Sequence, residues 1–302
     1  MAHPTVQPGF IGIATIEGRK IRCTSFDVNP NQTSLFYDHT IGIRDTVPIT
    51  SATKGEQDPL TPHGSNVRNT QKRIWRPSTI EVSGGISFPA TVLDSGYSFC
   101  SRLFNIAGWA DYFDLDFWYY CGNGKTFSDC RVNTFGFNIQ AGDILNIDAS
   151  VMGKDIADAT PPEVFHKEAE KLVTWDVVNI TVSGYTPLEN LLITGFNFQI
   201  NNNLSNIYTN GSVAVPNLKP HDIRAGMQEV TGSLSIYLEQ GQEFIPISLT
   251  TPAEIAISCP SLNTTMHVVF QSNKMSGAIG PIVTEIPFVG VDKYFYGGDI
   301  DN

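Results

Sequence analysis

The sequence predicts a mainly β protein built from two tandem β-barrel or sandwich domains, each with at most one short flanking helix, and with a long loop in the first. Three observations lead there. Polar and apolar residues alternate over 229–238, with Glu229, Thr231, Ser233 and Ser235 set against Val230, Leu234, Ile236 and Leu238, and Gly232 between them. A period of two marks a strand with one wet and one buried face. The pattern is also written twice: Arg76, Glu81, Val82, Ser83, Gly84, Ile86, Ser87 and Phe88 align without a gap to Arg224, Glu229, Val230, Thr231, Gly232, Leu234, Ser235 and Ile236. Every pair is 148 residues apart in a chain of 302. Finally, 26 Gly and 18 Pro leave little room for long helices.

Length and repeat together favour two domains, each large enough to bury a core. The boundaries read as 1–158 for the first domain, 159–174 for a linker and 175–302 for the second. Charged residues are only 16% of the chain, below the roughly 25% usual in soluble domains. The net charge of −11 comes from 30 acidic and 19 basic residues with no basic cluster, which argues against gripping nucleic acid through its phosphates. Acidity is nonetheless compatible with a surface along which DNA slides without adhering. The five cysteines, Cys23, Cys100, Cys121, Cys130 and Cys259, are odd in number and unpatterned, as expected of scattered thiols in a reducing compartment. No charged and apolar leader opens the chain, and no run approaches the ~20 apolar residues of a membrane span. Synthesis in a cytosol, with no membrane partner, is the expectation.

In chain order, residues 9–16 read as a first short strand and 21–37 as a second. The latter has its counterpart at 193–208, where Phe196, Phe198 and Ile200 alternate with Asn197, Gln199 and Asn201. Phe26 and Phe196 are 170 residues apart, so the first repeat carries about 22 extra residues between its matched strands. That length falls in 41–72, a loop rich in Pro, Gly and mixed charge. It is either idle or an arm that orders on a neighbouring subunit. Residues 74–90 form the first copy of a sheet-forming hairpin that recurs at 224–238. Val92, Phe99, Leu103, Phe104, Ile106 and Ala107 fit one helical face over 91–110, with Asp94 or Ser95 as N-cap and Gly108 as stop. Strands follow at 113–120, 131–139 and 144–152, the last two joined by a turn at Ala141-Gly142-Asp143. Residues 163–172 suit a short charged helix, 175–184 a strand, and 255–259, 266–271 and 282–291 three more. Beyond Leu238 the two halves match poorly in sequence.

Recognisable catalytic chemistry is absent. Gly122-Asn123-Gly124-Lys125-Thr126 lacks the glycine that a phosphate loop needs at position 119, which is Tyr119, and reads better as a turn. His166-Lys167-Glu168 has no further His or Cys nearby to complete a metal site. Asp114 and Asp116 share a strand face as alternation alone dictates, and no Gly-x-Ser-x-Gly elbow occurs. The expectation is a non-enzyme with no cofactor and no metal.

The runs Phe196-Asn-Phe-Gln-Ile-Asn-Asn-Asn-Leu and Pro220-His-Asp-Ile-Arg-Ala-Gly-Met-Gln-Glu-Val-Thr-Gly-Ser-Leu-Ser-Ile-Tyr resemble the tail tube proteins of long-tailed bacteriophages. The similarity is clearest over 193–238 and is echoed at 22–37 and 73–90. The resemblance implies a small tail-tube-like β-barrel or sandwich with a helix on its flank, six of which form a ring that stacks into a tube conducting viral DNA. Duplicated members supply two such domains per chain and build the ring from three chains. Their partners would be further copies of the chain, the tape measure, terminator and distal tail proteins, and DNA passing without specific binding. On that scheme the wet strand face lines the lumen, with Glu81, Ser83, Glu229, Thr231 and Ser233, and with Asp27 and Asp148 as further members. Arg76 and Arg224 either pair with carboxylates of a neighbouring domain or stay on the surface. Lys54, Glu56 and Asp58 of the loop would contact the next subunit or ring. Rival readings are a terminator or baseplate ring of the same fold, and a two-domain adhesin or carbohydrate-binding module.

Overall fold

The computed structural model describes residues 12–16, 19–38, 44–49, 73–93, 98–119, 124–159, 170–184, 192–209, 218–238, 252–271, 274–276 and 282–291. Alternating segments become strands within them. The first half contains β1 (Gly12–Ile16), β2 (Arg19–Cys23), β3 (Ser25–Asp38), β4 (Arg44–Ile49), β5 (Arg73–Pro89), β6 (Thr91–Leu93), helix α1 (Phe99–Trp109), β7 (Phe113–Tyr119), β8 (Gly124–Gln140), β9 (Asn146–Gly153) and β10 (Asp155–Asp158). After β11 (Glu170–Leu172) come β12 (Asn179–Ser183), β13 (Leu192–Asn201), β14 (Ser205–Ile207), β15 (Asp222–Arg224), β16 (Glu229–Leu238), β17 (Ala253–Cys259), β18 (Leu262–Phe270), β19 (Lys274–Ser276) and β20 (Ile282–Gly290).

Strand order is the same in both halves. Hydrogen-bonded neighbours run β1-β7-β8-β9-β5-β3 in the first and β12-β17-β18-β20-β16-β13 in the second. Register repeats as well. Phe26 lies opposite Ile86, and Phe196 opposite Leu234, so the sequence offsets of 170 and 148 carry one pairing onto the other. The equivalence extends past the point where sequence similarity fades, since Ile86 faces Ala149 as Leu234 faces Ile286. β8 joins the halves: its inner edge pairs with β9, and its outer edge pairs with β13 from Gly195↔Gln140 to Asn201↔Thr134. The two half-sheets are thereby one continuous antiparallel sheet.

Period-two alternation sorts this sheet into a core face and a polar face. One core row runs Phe88–Ile147–Phe137–Phe198–Gly232–Phe288 across six strands. Phe137 stacks on Phe198 with ring centroids 5.1 Å apart, and Phe196 on Phe288 at 5.8 Å. Helix α1 covers the junction from the core side, where Phe104 meets Phe135 edge-on at 5.6 Å. Gly232 lies opposite Phe288, whose ring covers its backbone. A Cβ there would lie 2.4 Å from Phe288 Cζ and 2.3 Å from the Asn197 carbonyl oxygen, so only glycine fits without displacement.

Several local expectations need correction. The stretches 74–90 and 224–238 are not hairpins: β5 is one strand, and β16 is one strand preceded by the separate β15, each pairing with a strand distant in sequence. The helix is shorter than 91–110 because Thr91–Leu93 is drawn into pairing with β11. Its cap is Ser98, whose side chain accepts from the Ser101 N–H at 3.3 Å. It runs through Gly108 to end at Ala110, which takes the left-handed conformation at φ 52°. Within 163–172, Glu170–Leu172 is strand rather than helix, again because β6 recruits it. Trp175–Val177 is a 3₁₀ turn and the strand begins only at Asn179. The long loop is partly regular, since β4 pairs with Gln32–Tyr37 of β3, while 50–72 lies outside the described residues.

The helix end is fixed by a residue that alternation does not reveal. Asn202 is buried, and its side-chain amide donates to the carbonyls of Ala107 (2.8 Å) and Val132 (2.9 Å). Its oxygen accepts from Gln228 Nε2 at 2.8 Å, and Gln228 also reaches the Gly108 carbonyl at 3.2 Å. Second-half side chains thus reach carbonyls of the last turn of α1, where intrahelical bonding runs out; Ala107 has otherwise only a long 3.4 Å bond from the Ala110 N–H. Asn202→Ala is expected to lower stability by about 1–3 kcal/mol, because it strands buried acceptors. Urea denaturation measures this, and combination with Gln228→Ala should cost less than the two single losses summed. Gly232→Ala is expected to destabilise by roughly 1–3 kcal/mol through overpacking against Phe288, readable as a lower thermal midpoint.

Candidate assembly surface

The polar face opposite the aromatic core is the surface that the sequence singles out. One row runs Ser87–Asp148–Gly136–Gln199–Thr231–Val289 and the next Gly85–Ser150–Thr134–Asn201–Glu229, both crossing from the first half to the second without a break. A third runs Asn146–Asn138–Asn197–Ser233–Pro287. Apart from Asp148, Glu229 and the β20 residues Val289 and Pro287, these side chains are small or amidic, and several tie one strand to the next. Ser87 donates to Asp148, Thr134 and Ser150 hydroxyls lie 2.6 Å apart, and Asn197 donates to Ser233 at 2.7 Å. Cross-strand polar pairs of this kind stabilise a sheet without apolar contact on that face.

The residues expected on this face fall as follows. Glu81, Asp148, Glu229 and Thr231 are exposed, and Ser83 is half-buried. Ser233 is on the same face but only 5% exposed, because Asn197 and Glu285 close over it, so it supports its neighbours rather than meeting solvent. Asp27 occupies a register position opposite Gly85, and Arg76 one opposite Leu35; the side chains of both lie outside the described residues. Arg224 is exposed at the end of β15 and lies opposite Ser205, the position equivalent to that of Arg76 opposite Leu35. Lys54, Glu56 and Asp58 are outside the described residues.

Glu285 escapes the sequence reading although it is the structural counterpart of Asp148. Both are exposed carboxylates on the polar face, one on β20 and the other on β9, and each accepts a hydrogen bond from a serine. Only strand pairing reveals the equivalence, since Asp148 lies opposite Ser87 and Glu285 opposite Ser235. The three rows named above contain no Lys or Arg. Arg131, opposite Met152 beyond their end, has its guanidinium 4.0 Å from the Tyr112 ring centre, and the Lys154 ammonium lies 4.3 Å from the same centre. The Tyr112 hydroxyl donates to Asp222, which together with the Ile223 N–H and the nearby cations holds that carboxyl below its ordinary value.

Buried cysteines take no part in this surface. Burial raises the Cys23, Cys100 and Cys130 thiols well above their ordinary value, so they remain protonated apolar fillers. Among the described residues no cluster of His, Cys, Asp or Glu has metal-binding geometry, and no helix is long and apolar enough to cross a membrane.

Comparison with known families agrees with the architecture. A family described as phage tail tube protein matches residues 24–290, a span that begins just ahead of β3, ends with β20 and takes in both repeats. No curated protein matches the chain. With the match covering most of the sequence, the chain belongs to the phage tail tube protein family, a structural family whose members self-assemble with other tail proteins in the virion tail.

Proposed function

We propose that three copies of this chain close a ring of six tube folds, that rings stack into the tail tube, and that the polar sheet face lines a channel conducting viral DNA. The supporting observation is the edge-to-edge union of two halves with one strand order and one register. A chain that already joins one half to the next through β8 and β13 carries two of six equivalent units, and three chains complete the circle. The duplicated units are taken as 1–158 and 175–302, with 159–174 as linker. The described end of that linker packs on the first half, where the Val173 N–H donates to the Ala90 carbonyl at 3.0 Å.

The face suits passage of DNA rather than its capture. Duplex DNA presents a dense row of phosphates, and retention grows with each Lys or Arg that displaces a counterion. The three rows of Ser, Thr, Asn and Gln that carry Asp148 and Glu229 repel phosphate and hold no Lys or Arg. Glu81 and Glu285 add acidic charge beside them, and Lys274 takes a register position opposite Glu285. Tape measure, terminator and distal tail proteins would contact the tube at its bore and ends, and the chain would be made in the host cytoplasm before joining the virion. The arm formed by the outer parts of β3 and β5 with β4, continuing into 50–72, is assigned to contact between successive rings, where Lys54, Glu56 and Asp58 would act.

Negative-stain electron microscopy of the purified protein tests this reading. Stacked rings with an open bore and no fixed length are expected, and native mass spectrometry of a single ring should give three chains. Discrete unstacked rings would instead point to a terminator or baseplate component. Glu81→Lys combined with Glu229→Lys should leave rings intact yet make the tubes retain duplex DNA at low salt, released as salt is raised, and phage carrying the change should infect poorly. Normal infection would remove charge from the account of the lumen. Deleting 54–66 should preserve folding and ring formation while shortening the tubes.

A further inference from the structure

The junction inside the chain is a template for one between chains. Strand equivalences fix its details. In the first half Gly136 of β8 lies opposite Asp148, and in the second Lys274 of β19 lies opposite Glu285, the counterpart of Asp148. Lys274, Met275 and Ser276 therefore correspond to Gly136, Phe137 and Asn138. The correspondence includes an irregularity. Pairing of β8 with β9 slips by one residue between Val132 and Thr134, and pairing with β20 slips by one residue between Phe270 of β18 and Lys274 of β19. β18 and β19 together are thus the equivalent of the single long β8.

The two halves differ in what covers these strands. β8 carries β13 on its outer edge, with Asn138 opposite Asn197 and Phe137 opposite Phe198. Among the described residues β19 pairs only with β20. The first-half counterpart of β13 is β3, which pairs with β5 along its length but with β4 only from Gln32 to Tyr37. Its Ser25–Asn31 segment, the part equivalent to 195–201, has no strand on its other side among the described residues. Among the described residues one edge of each kind is left over, one on each side of the β8–β13 junction. Edges of this sort associate with matching edges unless they are covered.

We propose that β19 of one chain pairs antiparallel with β3 of the next copy, in the register copied from β8 and β13: Ser276 opposite Asp27, Met275 opposite Val28, and Lys274 opposite Asn29. The inference rests on the ring reading above and adds the edges and the register that make it. A slip of one residue would turn the core-facing set of either strand to the polar face, so the register is closely constrained.

Paired cysteines test it. In a Cys121→Ser background, Asn138→Cys with Asn197→Cys serves as the control within one chain, because directly opposed strand residues lie within disulfide reach. Asp27→Cys with Ser276→Cys, oxidised after assembly, should shift the denatured, non-reduced protein from one chain to two and three, with three as the limit. A mixture of the two single variants should link across chains and stop at two, which keeps the test valid if the double variant folds poorly. Asp27→Cys with Met275→Cys, one residue out of register, should give no more than a trace. Intact tubes by microscopy in which Asp27→Cys and Ser276→Cys stay unlinked would overturn the register while leaving the tube reading standing. Linkage confined to one chain would overturn the junction, because the two edges would then meet within a single molecule. Failure of the unmodified protein to form any ring would overturn both.

Discussion

Everything in this molecule depends on one requirement: the backbone N–H and C=O groups along a strand edge must find partners. Each half of the chain forms a sheet whose outermost strands would be bare if that half stood alone. β8 resolves this inside the chain by pairing with β9 on one side and β13 on the other, and so converts two sheets into one. Aromatic packing follows that union. Phe135 and Phe137 of the first half meet Phe196 and Phe198 of the second beneath helix α1, so the core has no seam where the halves meet. Asn202 and Gln228 complete the union with polar bonds from the second half to the end of the first half's helix.

The same strands create the opposite face. Alternation places an apolar residue, phenylalanine in the centre of β8 and β13, on the core face beside the polar residues of the other face, so a stable core and a wet, hydrogen-bonded wall are two sides of one pattern. Gly232 shows how tightly the two are coupled, for the core side leaves no room for even a methyl group under Phe288. The tyrosine and carboxylate around Arg131 and Lys154 occupy cations that would otherwise border the polar rows.

Much of this was legible in the sequence where the signal is periodic. Strand identity in β5, β13, β16, β17, β18 and β20 follows from alternation, and the offsets of 148 and 170 between repeats carry the register of β3 with β5 onto that of β13 with β16. What escaped depends on long-range pairing. Whether 224–238 folds on itself or pairs elsewhere is not written in its own residues. The start of α1 is set by β11, some seventy residues away, which takes Thr91–Leu93 into a strand. Glu285 was invisible as a partner of Asp148 because the second copy of that strand has diverged in sequence while keeping its place in the sheet. Asn202 is one polar residue in a run of three asparagines, and only the fold separates the buried one from its neighbours.

The halves are alike but unequal. The outer parts of β3 and β5 have their counterpart in β14 and β15, where Ser205 lies opposite Arg224 as Leu35 lies opposite Arg76, but among the described residues only the first half adds a further strand, β4, to that ribbon. In the proposed ring of three chains β4 would recur at every third of a turn, while the wall beneath it would repeat at every sixth. A neighbouring ring would then seat in three equivalent rotational settings rather than six. The added β4 strand would act as a mechanical index, with the twist between rings chosen from half as many angles as the bore alone allows.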